Sequence, residues 1–519
     1  MYFDNKILVG KSNEESIYIY PKMANRHGLI AGATGTGKTI TLKVLAESFS
    51  DAGVPVFLAD IKGDLAATCL AGTMNDNISK RIENLKLENF DLHAYPINFW
   101  DIYQKNGLPL RTTISEMGPL LLSRILGLND VQSDILTIIF KIADDEGLLL
   151  LDTKDLKSMI QYVGDNVKEY TLQYGNIAKQ SLGAIVRAIV ALEAEGGDKF
   201  FGETAINIAD WLCRDYNGKG IISILDCQQL ILNPTMYSTF MLWLLSELFE
   251  TLPEAGDLDR PKMVFFFDEA HLLFDSASKN LLDKIEQTVK LIRSKGVGIY
   301  FITQNPSDIP DGVLGQLGNK IQHALHAYTP KEQKAAKAVA QSFRENPELN
   351  TYDTLLELGI GEALVSVLDE KGVPTIVKKA TILPPQSQMG ALDTTTRDNQ
   401  NKNNLLYTKY TQEIDRESAY ELLTKKAVES AQKEANAKEA TILAKQQAKE
   451  EKERQKQLQK QEAARKKEVK KIVSSATGTI GRELGKTVGK SIGGSFGKSL
   501  GGNVGASIAR GIFNTLLKS

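Results

Sequence analysis

The sequence predicts an α/β fold: a doubly wound, mostly parallel sheet with a helical insertion and a helical, glycine-rich C-terminal tail. Short apolar runs alternate with helical periodicity through most of residues 1–385, which is typical of buried parallel strands joined by crossover helices. One long stretch of helical periodicity interrupts this alternation. After Pro385 the composition changes, and a polar stretch, a charged helical pattern and a glycine repeat follow in turn.

A short strand segment, residues 1–25, precedes a βαβ unit that opens the sheet. The predicted elements are strands at Lys6–Val9, Ser16–Tyr20, His27–Ala31 and Val54–Ala59, and a helix at Ile40–Ser50. An apolar run, a glycine-rich turn, a helix and a second apolar run in this order form a βαβ unit of a parallel sheet. Residues 26–109 are therefore the first part of the predicted core.

Residues 110–205 read as a helical insertion, because helical periodicity continues there with few strand signals. The clearest helices are Ser115–Leu126, Asp134–Ala143 and Ile177–Glu195. Strand character then returns, so residues 206–385 are the second part of the core. Its predicted elements are strands at Gly220–Leu225, Val264–Phe267, Gly298–Ile302, Ile321–Ala327 and Ala363–Leu368, and a helix at Tyr237–Leu252.

Three segments follow the core. Residues 386–412 are polar and typical of a linker, and residues 413–472 are rich in Ala, Lys, Glu and Gln, which favours a long charged helix, either single or in a coiled coil. In residues 473–519, glycines recur every four residues from Gly481 to Gly505, each preceded by an apolar residue. A helix there would carry a stripe for self-association or for a membrane surface; the alternative is a disordered tail.

Composition and charge restrict the class of protein. The sequence contains no run of about 18 apolar residues, so it predicts no membrane-spanning helix. The three cysteines are scattered, and the N-terminus lacks a secretory signal, so we expect a cytoplasmic, reducing location. The net charge of −2 divides into +11 from Glu421 onward and −13 before it. The basic tail suits nucleic acid or a membrane surface, or is simply a solvated segment.

The strongest motif is GATGTGKT, which fits the pattern G-x-x-x-x-G-K-[ST] between a predicted strand and a predicted helix. Its glycines allow backbone N–H groups to surround phosphate oxygens, and the following helix start favours negative charge. The predicted phosphate-binding residues are Gly32, Ala33, Thr34, Gly35, Thr36, Gly37, Lys38 and Thr39. Lys38 would reach the β- and γ-phosphates of ATP, and the Thr39 hydroxyl would bind Mg²⁺.

A second motif lies about 230 residues further along the chain. The apolar run Met263–Phe267 ends in Asp268 and Glu269, as in the acidic motif that accompanies such a loop. Asp268 would hold Mg²⁺, and Glu269 would deprotonate the attacking water. His271 either couples the site to motion or begins the next helix.

Two further sets of polar residues end predicted strands. Gln304 follows the run Gly298–Ile302 and either senses the γ-phosphate or caps the next element. Asp60, Lys62 and Asp64 follow the second core strand, at the edge where ligands of open α/β sheets bind. They contact nucleotide, metal or a neighbouring subunit, or they pair within their own loop.

Together these residues resemble the HerA/FtsK group of ATP-driven DNA motors, and most closely the HerA-like helicases. The matching segments are RHGLIAGATGTGKT (26–39), FLADIKGDL (57–65), FFFDEAHLLF (265–274), YFITQNP (300–306) and TPKEQKAAKAVAQSFRENP (329–347). The resemblance implies a RecA-like P-loop NTPase core, a hexameric ring and ATP sites shared between neighbours. It also implies the roles given above to Lys38, Thr39, Asp268, Glu269 and Gln304.

The sequence departs from the family at two places. Only about 25 residues precede the phosphate loop, so the N-terminal barrel of archaeal HerA proteins is not expected, and neither is nuclease docking through it. His326 stands where an arginine is expected in the segment before Thr329. The remaining arginines that a subunit would insert into its neighbour's site are Arg344, which we prefer, and Arg293; ordinary surface pairing is their alternative.

The motifs leave two functions open. The first is a ring motor that hydrolyses ATP with Mg²⁺ and translocates on or unwinds DNA. The second is an ATP-gated assembly protein that acts at a membrane surface or with a partner complex, anchored through the C-terminal tail. An acidic core is unexpected in a DNA-binding protein, so the first function requires a local basic surface.

Overall fold

The computed structural model describes residues 1–275, 279–412 and 414–476. Within these ranges one 13-stranded sheet forms, in the order β1-β2-β13-β12-β11-β4-β10-β9-β5-β8-β6-β7, with β3 paired to β2. The strands are β1 Tyr2–Phe3, β2 Lys6–Ser12, β3 Glu15–Ile19, β4 Gly28–Ala31, β5 Val56–Asp60, β6 Ile97–Asp101, β7 Leu108–Pro109, β8 Ile222–Asp226, β9 Met263–Phe267, β10 Val297–Thr303, β11 Asn319–Gln322, β12 Glu362–Ser366 and β13 Lys378–Ile382. In this order, every pairing from β11 through β4, β10, β9, β5, β8 and β6 to β7 is parallel. The pairings that link β11, β12, β13, β2, β1 and β3 are all antiparallel.

The described residues contain 17 α-helices, several of which connect the parallel strands. They are α1 Lys38–Asp51, α2 Asp76–Asn84, α3 Ile114–Ile125, α4 Asp130–Asp145, α5 Thr153–Asp165, α6 Val167–Tyr174, α7 Lys179–Ala194, α8 Gly197–Phe200, α9 Pro234–Thr251, α10 His271–Phe274, α11 Lys279–Ile292, α12 Asp311–Leu314, α13 Pro330–Gln341, α14 Thr351–Glu357, α15 Thr394–Lys402, α16 Tyr407–Thr411 and α17 Ala419–Ala476. Helices α3, α4, α7 and α9 fall where the periodicity predicts them.

The two faces of the sheet belong to two separate apolar clusters. Phe57 and Phe265 point into one cluster, whereas their neighbours Leu58 and Phe266 point into the other. Successive side chains of a strand alternate between faces, so a strand buried on both sides must be apolar throughout. This explains the continuous apolar runs and confirms the doubly wound, mostly parallel α/β sheet.

The helices of residues 110–205 enlarge only one of these clusters. Met117, Ile139, Met159 and Ile185 all join the cluster that contains Phe57. The insertion is therefore part of the core on that face, where it packs against α9.

Besides the two-residue strands β1 and β7, which the sequence does not predict, three longer strands differ from expectation. The sequence does not predict β6 because Asn98 and Asp101 interrupt its apolar pattern; both are buried, and Asp101 accepts hydrogen bonds from the backbone of the next turn. It does not predict β13, which carries two lysines. Strand β11 ends at Gln322 rather than at Ala327, because the Ala324 carbonyl accepts a hydrogen bond from the Ala33 N–H instead of from a neighbouring strand.

The structure also departs from the polar linker expected at residues 386–412, which we call the strap. The strap forms α15 and α16 and packs on the core. Arg397 pairs with Asp226 at 2.8 Å, and both side chains are more than nine-tenths buried. Tyr410 is fully buried against Trp100. Polar composition hides this packing because the strap is held largely by hydrogen bonds and ion pairs.

Met1–Lys426 form one compact unit, and the second unit starts at Ala427. Every residue of α17 from Ala427 to Glu468 is exposed, in keeping with its charged composition. The glycine repeat from Gly481 to Gly505 lies outside the described residues. Within the described residues, no helix is both long and apolar enough to cross a membrane.

Candidate nucleotide site

The motifs meet at the carboxyl edge of the parallel strands. Strand β10 lies between β4, which leads into the phosphate loop, and β9, which leads into the acidic pair. The register aligns Ala31 with Thr303 and Phe267 with Phe301. Parallel pairing therefore brings Gly32, Asp268 and Gln304, separated widely in sequence, to one edge.

Residues 32–39, the P-loop, need glycine for their conformation. Gly35 and Gly37 have φ angles of 80° and 120°, in the region that favours glycine. A Cβ atom on Gly37 would also lie 3.3 Å from the backbone of Gly361. The N-cap residue of α1 is Gly37, which has no side chain, so no side chain caps the first N–H groups of this helix. Those groups are free to meet an anion.

Lys38 lies across the P-loop. Its Nζ donates to the carbonyls of Gly32 at 2.6 Å and Ala33 at 3.0 Å. Burial lowers the pKa of the Lys38 ammonium, whereas the carboxylates of Glu269 and Asp268 oppose that shift. The ammonium is thus positioned between the loop and the acidic pair, where a polyphosphate would add a third partner.

Hydrogen bonds to two other segments, and one within the loop itself, hold the P-loop in place. The Ala33 N–H donates to the Ala324 carbonyl at 2.8 Å, and the Gly361 N–H donates to the Thr36 carbonyl at 3.0 Å. The Thr36 hydroxyl closes the turn on the Ala33 carbonyl at 2.8 Å. The loop is therefore a preformed cradle.

His323 is a residue of this site that the sequence did not reveal. Its Nδ1 lies 2.8 Å from the Glu362 carbonyl, which only accepts, so Nδ1 carries the proton. Its Nε2 then accepts from the Thr41 hydroxyl of α1 at 2.8 Å. Burial lowers the pKa of His323 to about 4, so the ring is neutral near pH 7. It ties α1 to the β11–β12 side of the cleft.

Asp268 and Glu269 form the acidic wall. Burial, reinforced by the charge of Glu269, raises the pKa of Asp268 to about 7. The Asp268 Oδ1 accepts from the Glu269 N–H at 2.9 Å, and its own carbonyl accepts from the Tyr237 hydroxyl at 2.6 Å. A buried carboxylate with so high a pKa is poised to gain a cation as partner.

Glu269 adopts a φ of 46°, unusual for a residue with a side chain, which marks a strained backbone at the acidic pair. Gln304 Nε2 donates to its carboxylate at 3.3 Å. His271 Nδ1 lies 3.3 Å from the same carboxylate. Two neighbours therefore orient the carboxylate predicted to act as base.

The P-loop and the acidic pair line one cleft of about 390 Å³. Of the three polar residues after β5, Lys62 and Asp64 line it, whereas Asp60 does not. The Asp60 carboxylate accepts from the N–H groups of Gly63 at 2.7 Å and Leu65 at 3.1 Å, so it caps its own loop.

Residues outside the motifs also line the cleft: among them are Lys43, further along α1, Ile360 before β12, and Met389 and Gly390 of the strap. The sequence did not reveal them because none lies in a motif, and Ile360, Met389 and Gly390 come from segments distant in the chain.

The arginines considered in the sequence lie elsewhere. Arg344 is exposed and donates to the Pro374 carbonyl at 2.9 Å, and neither it nor Arg293 lines the cleft. Arg293 precedes β10, so it lies at the opposite edge of the sheet, about 20 Å from the carboxyl end of that strand. His326 is exposed and stacks on Tyr328.

The residues present fit a magnesium-bound nucleotide. Within the described residues, no group of three or more His, Cys, Asp or Glu side chains could hold a metal by itself. Mg²⁺ normally takes one or two protein ligands and completes its shell with phosphate oxygens and water. Thr39 and Asp268, which line the same cleft, match that need.

Fold and site together define a class, the P-loop ATPases in which one strand separates the P-loop strand from the acidic strand. Within that class the sequence is specific: residues 5–505 match the model of the helicase HerA-like C-terminal family, so the chain belongs to that family. This confirms the resemblance drawn from the motifs.

Individual relatives are distant. A probable helicase of Methanocaldococcus jannaschii is 31% identical over 133 residues, which are 25% of this chain and 24% of that protein. The match therefore covers about a quarter of that relative's length.

Among solved structures, VirB4 of Thermoanaerobacter pseudethanolicus shares 16% identity, with 74% of this chain and 97% of that chain covered and a TM-score of 0.46. The plasmid coupling protein TrwB with a non-hydrolysable ATP analogue shares 14% identity, with 76% and 92% covered and a TM-score of 0.46. TrwB is also known with ADP and Mg²⁺. These likenesses describe the fold alone.

Proposed function

We propose that this protein is a ring motor that hydrolyses ATP with Mg²⁺ and uses the energy to translocate on or unwind DNA. One observation carries the proposal: Lys38, Asp268 and Glu269 line a single cleft beside a P-loop whose Gly35 and Gly37 have positive φ angles. Because the chain belongs to a helicase-like family, we expect the energy of ATP hydrolysis to be used on DNA.

In the proposed reaction the chain supplies position and charge. The P-loop N–H groups and Lys38 bind the phosphates, and Asp268 with Thr39 holds Mg²⁺, which neutralises charge on the phosphoryl oxygens when bound. Glu269 takes a proton from the attacking water, and Gln304 and His271 hold its carboxylate in place.

The ring supplies what the isolated chain lacks. Within the described ranges, no arginine lines the cleft. An arginine that stabilises the transferring phosphoryl group would then come from a neighbouring subunit, and exposed Arg344 is the residue we propose. A hexamer is the assembly that the family resemblance implies.

A basic face supports DNA as the polymer. Lys331, Lys334 and Lys337 are exposed at three-residue spacing on α13. Exposed Tyr328 precedes them, six residues after the end of β11. Lysines on one helical face suit phosphate contacts that do not depend on base sequence.

The test is the ATPase rate of the assembled protein with and without duplex or single-stranded DNA at low salt. We expect DNA to stimulate the rate, and salt to abolish the stimulation. Replacing the three α13 lysines with alanine should lower the dependence of log Kd on log salt by about 0.9 for each lost phosphate contact. The matched control replaces Lys168, Lys179 and Lys199, which are exposed on the insertion.

Absence of stimulation by any DNA would refute the motor. Binding to anionic vesicles that requires residues 473–519 would favour the ATP-gated assembly protein, with the basic tail as its anchor. A cytoplasmic location remains part of the proposal and is tested by fractionating cells that express the full chain.

A further inference from the structure

Two exposed apolar side chains flank the nucleotide cleft. Ile360 is 79% exposed and Met389 is 41% exposed, yet both line the cleft that contains the P-loop. Scattered exposed apolar residues are ordinary, but two on separate segments of one ligand cleft are not.

The backbone beneath Ile360 is fixed. The Gly361 N–H donates to the Thr36 carbonyl of the P-loop at 3.0 Å. From α2, the Arg81 guanidinium donates to the carbonyls of Gly361 at 3.1 Å and Ile360 at 3.4 Å. This turn is therefore attached to the P-loop on one side and to α2 on the other.

The backbone around Met389 is fixed as well. The Gly390 N–H donates to the Asp64 carbonyl at 3.2 Å. Earlier in the strap, the N–H groups of Gln386 and Ser387 donate to the Glu47 carboxylate at 2.8 and 3.1 Å. Glu47 is a buried residue of α1, so the P-loop helix itself holds the strap at the cleft.

The position of these side chains suits the base of the nucleotide. Lys38 and the acidic pair mark the β- and γ-phosphate end of the cleft, and the backbone N–H groups of the P-loop would hold the α- and β-phosphates. The ribose and base would then extend from the phosphates along the lining residues Ile40, Leu65, Ile360 and Met389. These four are apolar, as the faces of a base require.

We infer that Ile360 and Met389 form a clamp on the two faces of the nucleotide base, an inference that rests on the proposed ATP site. Among the described residues no amide side chain lines the cleft, and its two hydroxyls, those of Thr34 and Thr39, belong to the P-loop at the phosphate end. Recognition then depends on stacking area, which every base offers and purines offer most. The clamp accepts ATP and GTP alike and binds CTP less well.

The experiment measures Kd by titration calorimetry, with Mg²⁺, for ATP, GTP, CTP and inorganic tripolyphosphate, which has no base. Wild type should bind ATP and GTP within about threefold of each other and CTP more weakly. Ile360→Ala and Met389→Ala should each weaken ATP about tenfold and leave tripolyphosphate unchanged. Met389→Leu should retain most of the affinity. The control is Val373→Ala, which removes a side chain that is 45% exposed in the β12–β13 turn.

Equal weakening of tripolyphosphate and ATP would overturn the clamp, since the two residues would then only support the P-loop. Unchanged ATP affinity in both variants, or strong discrimination between ATP and GTP, would also overturn it. Failure of the proposed function looks different. If Lys38→Ala leaves both ligands bound as in wild type, the P-loop is not the phosphate site, and both ideas fall. If ATP binds through the clamp but is never hydrolysed, only the proposed motor function is refuted.

Discussion

At the residue scale, Glu269 is fixed in one orientation. Its backbone is strained at a φ of 46°, Gln304 donates to its carboxylate at 3.3 Å, and His271 lies at the same distance. A base must lie close to the water it deprotonates and must keep its geometry while charge moves. The strained residue is thus the one whose carboxylate must keep a fixed orientation in the proposed reaction.

We expect Glu269→Gln to bind ATP as tightly as wild type, because no phosphate contact is lost, and to hydrolyse it about 100- to 10,000-fold more slowly. Calorimetry gives the affinity, and phosphate release gives the rate. A matched control is Glu254→Gln, which changes an exposed carboxylate outside the cleft. Unchanged turnover in the Glu269 variant would exclude its role as base.

His27 gives the fold a dependence on pH. Its Nδ1 accepts from the Ile299 N–H at 3.0 Å, and its Nε2 lies 2.9 Å from the Val289 carbonyl. Protonation would turn Nδ1 into a donor that faces another donor. Burial accordingly lowers the pKa of His27 to about 4. Because the folded pKa lies below the unfolded value of 6.5, the contribution to stability is complete above pH 6.5 and is lost as the pH falls towards 4.

Between pH 7 and pH 5 this histidine should cost about 2 kcal/mol of unfolding free energy. His27→Gln, whose amide keeps one donor and one acceptor, should reduce the acid-induced loss by that amount. Denaturant unfolding at several pH values measures both slopes. Parallel slopes in the two proteins would show that His27 does not titrate in this range.

At the element scale, the strap connects three parts of the compact unit. Its first residues bind Glu47 of α1, Arg397 pairs with Asp226 at the end of β8, and Tyr410 packs against Trp100 of β6. The Arg397 guanidinium also lies over the Phe99 ring, 5.2 Å from its centre. The strap is therefore structural throughout its length, and it brings Met389 to the nucleotide cleft.

The buried ion pair predicts a specific energetic pattern. Arg397→Met leaves Asp226 buried without its partner, so we expect a loss of about 3–5 kcal/mol in unfolding free energy. Adding Asp226→Asn should recover most of it. Arg416→Ala, which removes an exposed partner of Glu203, should cost less than about 1 kcal/mol. Equal losses for Arg397 and Arg416 would show that burial of the first pair has no energetic effect.

At the scale of the whole molecule, the residues that line the cleft come from one chain, and a neighbouring subunit of the proposed ring would supply the arginine. Arg344 is held by the Pro374 carbonyl and by the backbone bond of its own carbonyl to the Val377 N–H. It is exposed on the segment between α13 and α14, outside its own cleft. This position suits contact with another subunit.

Mixing Arg344→Ala subunits with Glu269→Gln subunits should restore part of the ATPase activity, because an intact site then forms between unlike neighbours. Steady-state ATPase assays across mixing ratios measure the rescue. The same experiment with Arg293→Ala is the control, since Arg293 lies at the opposite sheet edge. If no ratio gives activity, Arg344 does not act across the interface.

The sequence by itself determined the class of fold, the P-loop and the acidic pair. Each depends on a local pattern: an apolar run for a strand buried on both faces, glycines where φ is positive, and carboxylates directly after a strand. The family resemblance likewise depended on contiguous strings such as FFFDEAHLLF.

Only the tertiary structure decided what surrounds those motifs. His323 ties α1 to β12, Glu47 holds the strap, and Ile360 and Met389 meet at one cleft, although they lie on separate segments of the chain. The strap reads as a linker because its buried partners, Asp226 and Trp100, lie far away in sequence. Contacts between distant segments leave no local pattern, since their energy depends on which surfaces the fold brings together.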